Sequence, residues 1–305
     1  MKEILAVKNL SKAFKKKKVI DNLSFCVYRN SVFGFVGRNG AGKTTTMKMI
    51  LDFLQPDTGS ILFDGEDIAK TKHNAGRIGY LPDVPEFYDF YTPMQYMMFC
   101  GEISNIRRRE CKEKAEELLK LVGLEKDKDR KIRGFSRGMK QRLGVAQALL
   151  SDPELIICDE PTSALDPIGR REILDLLKKA KERTAVIFST HILSDVQRIC
   201  DYIGIIENGK IVRYGTTQEL TRISGDVKVR ISCEEEEDRN RLLEEAKKTE
   251  LCRDVQVENN DVIIQVENEK KVKDLFKWIG EKGCNVNSIR KEEKTLEDIY
   301  MEVIK

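Results

Sequence analysis

The sequence predicts an α/β protein in which a large domain with a parallel sheet precedes a small α+β domain. After residue 153, short apolar runs alternate with longer amphipathic runs up to residue 209, a pattern typical of parallel strands joined by crossover helices. Earlier, a glycine-rich segment at residues 37–42 separates a strand-like run from a helix-like run. From residue 226 the order becomes strand, helix, strand, strand, helix, strand, helix, which indicates a ferredoxin-like domain.

The N-terminal region predicts strands interrupted by one helix. Residues 3–9 and 18–36 are rich in Val, Ile and Phe and are predicted as strands. The apolar periodicity of residues 44–54 favours a helix, and residues 60–68, bounded by glycine turns, favour another strand.

Residues 92–150 are predicted to be mainly helical. Thr92 is the expected cap of the first helix, with Pro93 at its first position. The amphipathic segment 110–122 is expected to stop at Gly123, because glycine often follows the last turn of a helix.

The remaining elements continue the alternation of strands and helices in the first domain and the ferredoxin-like order in the second. In the first domain they are strands at 155–158, 184–189 and 202–209 and helices at 169–182 and 192–200. In the second domain they are strands at 226–232, 253–259, 261–268 and 285–291 and helices at 234–248, 270–282 and 295–304. Asn259 and Asn260 are the expected hairpin turn between the two middle strands.

Composition narrows the class of protein. The 305 residues carry a net charge of only +3, from 54 basic and 51 acidic residues, which does not favour a dedicated nucleic-acid binder. No apolar run is long enough to cross a bilayer, and the N-terminus is too polar for a signal peptide. The eight scattered cysteines form no CxxC pair, and with only His73 and His191 beside them a zinc site is not expected. Unpaired cysteines favour a reducing, cytosolic compartment.

A phosphate-binding motif lies after the strand that ends near residue 36. The pattern GxxxxGK[ST] is matched in full by the residues Gly37, Arg38, Asn39, Gly40, Ala41, Gly42, Lys43 and Thr44, with Thr45 next. Glycines allow backbone N–H groups to turn towards phosphates at a helix N-terminus. Lys43 is expected to reach the β- and γ-phosphates of a nucleotide, and the Thr44 hydroxyl to bind Mg²⁺.

Two adjacent acids follow the apolar strand at 155–158. Asp159 is the expected Mg²⁺-associated carboxylate that such a phosphate site needs. Glu160 is expected to orient or deprotonate the attacking water. His191, at the end of the next predicted strand, could contact the γ-phosphate.

A second anion-receiving helix start is indicated by the segment FSRGMKQR, residues 135–142. Together with GRNGAGKTT, LIICDEP, SALDP and STH, in this order, it makes residues 1 to about 220 resemble the ATP-binding subunit of an ABC transporter. The resemblance implies a P-loop NTPase domain at residues 1–221 with a RecA-like core, an antiparallel β subdomain and a helical subdomain at about 85–150. An accessory domain would then occupy residues 222–305.

The same resemblance implies a dimer that holds two ATP molecules head to tail. Ser136 and Gly138, at the family's signature motif, would contact the ATP on the partner's P-loop. Asp166, in SALDP, would belong to the loop that senses the opposite site, and Phe14 would stack on adenine.

Three positions depart from the family pattern. Arg137 and Met139 replace the common Gly and Gln of the signature. Arg137 is expected to face either the partner's phosphates or neighbouring acids. Asp83 replaces a Gln that links Mg²⁺ to the membrane partner; it binds Mg²⁺ through a water or lies further out.

The resemblance also implies a partner. The aromatic-rich segment 87–99 is a candidate groove for a helix of a separate integral-membrane permease. The C-terminal extension is similar to that of ATPases paired with ABC-2-type exporters of drugs, antibiotics, lipids or polysaccharides. The expected location is the cytoplasmic face of the plasma membrane, as a homodimer or a heterodimer with a similar ATPase.

Two other functional classes compete with this reading. A soluble ABC-type ATPase acting on ribosomes usually has two cassettes, and one acting on DNA usually has a long coiled coil; the sequence has one P-loop and no such heptad run. A nucleotide kinase leaves FSRGMKQR and SALDP unexplained.

Overall fold

The chain folds into two compact units, Met1–Thr217 and Gln218–Lys305. The computed structural model describes residues 2–71, 76–163, 165–223, 227–292 and 296–304. Two residues named above lie outside the described residues: His73, and Ala164 in the SALDP segment.

An antiparallel sheet of four strands begins the first unit. Its strands are β1 (Glu3–Phe14), β2 (Lys17–Tyr28), β4 (Thr58–Phe63) and β5 (Glu66–Asp67), in the order β2-β1-β4-β5. The β1–β2 hairpin closes with Phe14 opposite Lys17.

A six-stranded sheet forms the centre of the first unit. Its strands are β3 (Val32–Val36), β6 (Ile78–Leu81), β7 (Leu155–Asp159), β8 (Ala185–Thr190), β9 (Tyr202–Glu207) and β10 (Lys210–Thr216). The order is β10-β9-β3-β8-β7-β6, and all neighbours are parallel except the hairpin β9–β10. Since β3, β7 and β8 are buried along their whole length, they read as continuous apolar runs rather than alternating ones.

The core of the first unit lies between these two sheets. Phe25 of the antiparallel sheet stacks on Phe33 of the parallel sheet with ring centroids 5.0 Å apart. Residues of both sheets and of the first helix belong to one buried apolar cluster, so the phosphate-binding loop is attached to a rigid base.

Seven helices are described up to residue 223. They are α1 (Lys43–Ile50), α2 (Pro93–Ile103), α3 (Arg108–Leu121), α4 (Arg137–Leu149), α5 (Pro167–Ala180), α6 (Leu193–Ile199) and α7 (Thr217–Ile223). The predicted start of α2 is confirmed: Thr92 and Gln95 form a reciprocal capping box with Pro93 at the first position. Gly123 follows α3 with φ +69°, a conformation that favours glycine.

The second unit has an antiparallel sheet with helices between its strands. The strands are β11 (Val227–Cys233), β12 (Asp254–Glu258), β13 (Asp261–Val266) and β14 (Val286–Glu292). The helices are α8 (Glu236–Ala246), α9 (Glu269–Glu281) and α10 (Leu296–Ile304). The strand order β12-β13-β11-β14 is that of a ferredoxin-like fold, and apolar residues of β11, β13, α8 and α9 form its core. The predicted turn is confirmed, since Asn259 and Asn260 have positive φ and join Glu258 to Asp261.

Candidate nucleotide-binding site

The glycine-rich loop connects the buried strand β3 to α1 at the carboxyl edge of the parallel sheet. Gly40 and Gly42 have φ +84° and +113°. L side chains rarely adopt such positive φ values, so the loop favours glycine at both positions. The result is a turn of backbone that ends at the N-terminus of α1, an arrangement suited to an anion.

Lys43 is buried beneath this loop, with 6 % of its surface exposed. Its Nζ donates to the carbonyl oxygens of Gly37 (2.7 Å) and Arg38 (3.4 Å). The same Nζ lies 3.1 Å from Oε1 of Glu160. A buried ammonium group that is held only by carbonyls and one carboxylate remains a strong attractor for phosphate.

A cavity of about 440 Å³ opens at this loop. The residues that line it are Val19, Asn39, Gly40, Gly42, Lys43, Thr44, Thr45, Asp83, Asp159 and Glu160. The structure therefore brings together most of the loop with Asp159 and Glu160 at the end of β7 and with Asp83 beyond β6. Gly37, Arg38 and Ala41 belong to the same loop but are not among the described lining residues.

Asp159 ends β7 and is almost fully buried, at 4 % exposed. Its Oδ1 accepts a hydrogen bond from Oγ of Ser189 at 2.5 Å. The parallel pairing of β7 with β8 places these two residues side by side, and so orients the carboxylate at the cavity. Sequence patterns did not identify Ser189; the register of the sheet identifies it.

Glu160 has a backbone φ of +47°, which is uncommon for a residue with a side chain. Its N–H donates to the carbonyl oxygen of Ser189 (3.1 Å), and its Oε2 lies 2.9 Å from Nδ1 of His191. Oε1 is buried and, among the described residues, has no hydrogen-bond partner, although the Lys43 ammonium is close to it. That close approach is an ion pair that lacks hydrogen-bond alignment. The Glu160 side chain lines the cavity, so its carboxylate is a candidate acceptor for a proton from a bound molecule.

His191 itself is half-exposed and does not appear among the described residues that line the cavity. The structure places it beside Glu160, so its connection to the cavity runs through that carboxylate.

Asp83 lies two residues beyond β6 and lines the cavity. Its Oδ1 accepts a hydrogen bond from the hydroxyl of Ser163 and lies 3.7 Å from Nη2 of Arg137. Of the two orientations expected for Arg137, the structure shows the one towards neighbouring acids. Burial, followed by the charges of Asp159 and Asp83, raises the pKa of Tyr80 on the adjoining strand.

The other predicted site residues are not among the described residues that line the cavity. Ser136 is the N-cap of α4, where its Oγ accepts from the N–H of Met139 (3.2 Å), and a Cβ at Gly138 would meet no described atom within 4 Å. Asp166 is the N-cap of α5 and accepts from the N–H of Gly169 (3.3 Å). Both helix starts are exposed.

Phe14 is 46 % exposed at the tip of the β1–β2 hairpin, with Nζ of Lys12 5.9 Å from its ring centroid. It is not among the described residues that line the cavity, whereas Val19 on the same hairpin is. Val19 could not be identified from the sequence, since one valine in a strand carries no motif.

The helical segment presents a second surface feature. Tyr88, Phe90, Tyr91 and Phe99 form a cluster of ring contacts with centroids 4.7–6.0 Å apart, called here the aromatic cluster. Phe90 is 63 % exposed. A cavity of about 680 Å³ between α2 and α3 includes Tyr91, Phe99 and two methionines in its lining.

Among the described residues, none of the helices has the length and hydropathy that crossing a bilayer requires.

Comparisons with known proteins agree with a nucleotide-binding site. Residues 20–163 match the family model described as ABC transporter, and residues 215–304 match the model described as ATP-binding protein DrrA1-3-like, C-terminal domain. An uncharacterised ABC transporter ATP-binding protein of Bacillus subtilis, YxlF, is 37 % identical over 99 % of both chains. The bacitracin transport ATP-binding protein BcrA of Bacillus licheniformis is 35 % identical over 100 % of this chain and 98 % of that protein. The linearmycin resistance ATP-binding protein LnrL of Bacillus subtilis is 37 % identical over 75 % of each.

Solved structures are similar to the same part of the chain. The structure of an ATP-binding subunit of an ABC transporter has a TM-score of 0.65 at 30 % identity, covering 72 % of this chain and 92 % of that one. CbiO1 of Clostridium perfringens, part of an ABC transporter complex, has a TM-score of 0.67 at 27 % identity, covering 72 % and 91 %. With this fold, this site and these relatives, the chain belongs to the ATP-binding subunits of ABC transporters, ATPases whose hydrolysis of ATP powers transport.

Proposed function

We propose that this chain closes head to tail with a second copy, or with a similar subunit, around two ATP molecules, and so drives a separate ABC-2-type permease that exports its substrate. The observation that carries the proposal is that only one of two anion-receiving helix starts lines the cavity. The start of α1 lies at the cavity with Lys43, whereas Ser136 and Gly138, at the start of α4, are not among the described residues that line it. A site that needs both would be completed by another molecule.

Within one chain, the glycine-rich loop and Lys43 would hold the phosphates. Mg²⁺ prefers oxygen ligands, and the Thr44 hydroxyl with the buried Asp159 carboxylate offers such a set at the cavity. Asp83 is the further candidate for the metal. Bound Mg²⁺ would neutralise charge that develops on the phosphates.

Glu160 would act as the general base and His191 would hold it in place. Glu160 lines the cavity, and Nδ1 of His191 lies 2.9 Å from its Oε2, which supports both assignments. Phe14 would stack on adenine from the β1–β2 hairpin, next to the cavity-lining Val19.

Across the dimer, Ser136 and Gly138 would contact the partner's ATP, and Asp166 would lie at the junction of the two sites. The N-terminus of α4 offers unpaired N–H groups and a positive helix end to an incoming phosphate.

The permease would dock at the aromatic cluster and the cavity beside it. Exposed aromatic rings around an apolar groove suit an amphipathic helix. The names of BcrA and LnrL favour an antibiotic as the exported substrate, with this subunit on the cytoplasmic face of the membrane.

Mixing two inactive variants tests the composite site. Lys43→Ala removes the phosphate cation and Ser136→Arg blocks the signature. A mixed dimer still holds one site with an intact Lys43 and an intact opposite Ser136. We expect each variant alone to have almost no ATPase activity, and an equal mixture to recover part of it.

Lys43→Ala mixed with Glu160→Gln is the matched control. Both changes fall on the P-loop cavity of their own chain, so each cavity of a mixed dimer carries one defect and no intact site remains. We expect no recovery in this control. No recovery in the Ser136→Arg mixture would contradict the head-to-tail arrangement, and equal recovery in both mixtures would show that recovery does not depend on a composite site.

A further inference from the structure

Asp83 connects three segments of the chain at the edge of the nucleotide cavity. Its carboxylate lines the cavity, accepts the Ser163 hydroxyl from the loop before α5, and lies 3.7 Å from Nη2 of Arg137, the first residue of α4. Arg137 and Asp83 are each about half-exposed, so this contact lies at the rim of the cavity rather than in the core.

Close packing between α4 and β6 fixes the position of this contact. A Cβ at Gly79 would lie 2.2 Å from the carbonyl oxygen of Ala148, and one at Gly144 would lie 2.5 Å from Cδ1 of Leu81. Residues 137, 144 and 148 lie on one face of α4, so this face runs along β6 and its following loop without room for added atoms. The approach of α4 to β6 therefore determines where the Arg137 guanidinium lies relative to Asp83.

The cavity has an excess of negative charge. Three of the described lining residues are carboxylates, Asp83, Asp159 and Glu160, against the single cation Lys43. Lys43 is already paired with Glu160. A polyphosphate that enters this cavity would meet the uncompensated charge of Asp83, unless a cation outside the lining neutralises it.

We propose that Arg137 is a positioning residue that neutralises and holds Asp83 of its own chain, so that the cavity accepts ATP while the first residue of α4 is tied to that same cavity. This inference rests on the assignment of the cavity to ATP. A direct role of Arg137 on a partner's phosphates would be different. Substitution of Arg137 would then weaken ATP binding whether or not residue 83 is charged.

A double-substitution cycle distinguishes the two roles. The proteins are the wild type, Arg137→Gln, Asp83→Asn and the double variant, with Arg137→Lys as the conservative change and Arg133→Gln, an exposed arginine nearby, as the charge-matched control. The dissociation constant for a fluorescent ATP analogue is measured in EDTA, so that metal binding by Asp83 does not contribute.

We expect Arg137→Gln to weaken binding by about two- to fivefold, the range of a half-exposed ion pair. In the Asp83→Asn background the same change should alter binding by less than about twofold. Arg137→Lys should keep most of the affinity, and Arg133→Gln should match the wild type.

Thermal unfolding without nucleotide gives a second readout from the same proteins. The midpoint of Arg137→Gln should fall relative to the wild type, and this loss should shrink once Asp83 is Asn, because the partner charge is gone. An equal effect of Arg137→Gln in both backgrounds, or no effect at all, would overturn the inference. Failure of the wild type itself to bind the analogue would instead overturn the assignment of the cavity.

Discussion

At the scale of single residues, the site is built from a few polar groups that the fold holds in unusual positions. Lys43 is a buried lysine, Asp159 a buried acid, and Glu160 has a left-handed backbone and an Oε1 that accepts no hydrogen bond from the described residues. Each of these conditions costs folding free energy, of the order of 1–3 kcal/mol for a strained backbone or a buried unpaired polar group. Such costs are concentrated where a bound molecule can compensate them.

Glu160→Gln is expected to keep ATP binding but to lower hydrolysis by about 10²–10⁴-fold, since the amide cannot accept the proton of the attacking water. The shape of the side chain is retained, so ATP should hold the variant as a stable dimer. Phosphate release and size-exclusion chromatography with and without ATP check both outcomes.

Glu113→Gln serves as the control, because Glu113 is exposed on α3 and pairs only with Arg109 among the described residues. It should behave as the wild type. Normal ATP turnover by the Glu160→Gln variant would contradict a role of Glu160 in hydrolysis.

At the scale of elements, an ion-pair cluster joins the ends of strands from both sheets of the first unit. Arg29 contacts Asp64 (2.8 Å) and Glu154 (2.8 Å), while Arg77 contacts Glu154 (2.7 Å) and lies 4.7 Å above the ring of Phe63. The Arg29 guanidinium lowers the pKa of Asp64, and Arg77, followed by Arg29, lowers the pKa of Glu154.

This cluster should make stability fall in acid. Both carboxyls have a lower pKa in the folded state than in the unfolded state, so their stabilisation is complete above the ordinary carboxyl pKa of about 4 and is lost as the pH falls below it. Arg77→Met keeps the packing on Phe63 and removes the charge. Between pH 5 and pH 3 the wild type should lose about 1 kcal/mol more unfolding free energy than this variant.

Urea unfolding at several pH values measures the difference, with Arg109→Met on exposed α3 as the control. If the Arg77→Met and wild-type curves run parallel across this range, the cluster does not contribute to acid sensitivity.

At the scale of the whole molecule, we propose different surfaces of the first unit for ATP hydrolysis and for permease docking. The nucleotide cavity lies at the ends of β3, β6 and β7, and the aromatic cluster lies at the start of the helical segment. A change in the aromatic cluster should therefore uncouple transport without stopping hydrolysis.

Phe90→Ser is the change that tests this separation, because Phe90 is exposed and its ring contacts the rings of Tyr88 and Tyr91 in the cluster. We expect near wild-type ATPase activity from the purified subunit and loss of co-purification with a co-expressed permease of the same operon. Phe53→Ser, at an equally exposed phenylalanine outside the cluster, should retain both properties. Loss of both properties in Phe90→Ser alone would argue against separate surfaces.

Local patterns predicted most elements of the fold, and their failures have a physical cause. The run 18–36 was predicted as one strand, but Asn30 has φ +55° and the chain divides there into β2 and β3, in two different sheets. Apolar residues continue on both sides of this break, so composition did not reveal it. β6 and β10 were missed because β6 has only four residues and β10 is mostly exposed.

The sequence by itself determined the fold class and the phosphate chemistry, because a glycine loop, a lysine and a strand-ending acid carry their function in their order and spacing. Only the tertiary structure decided how those groups meet: Ser189 on Asp159, Lys43 and His191 on Glu160, and Arg137 on Asp83. The two residues of a pair lie up to 117 positions apart in the sequence, as Lys43 and Glu160 do. Their contact depends on strand order and helix packing. No local pattern contains that information, since parallel strands become neighbours only when the sheet assembles.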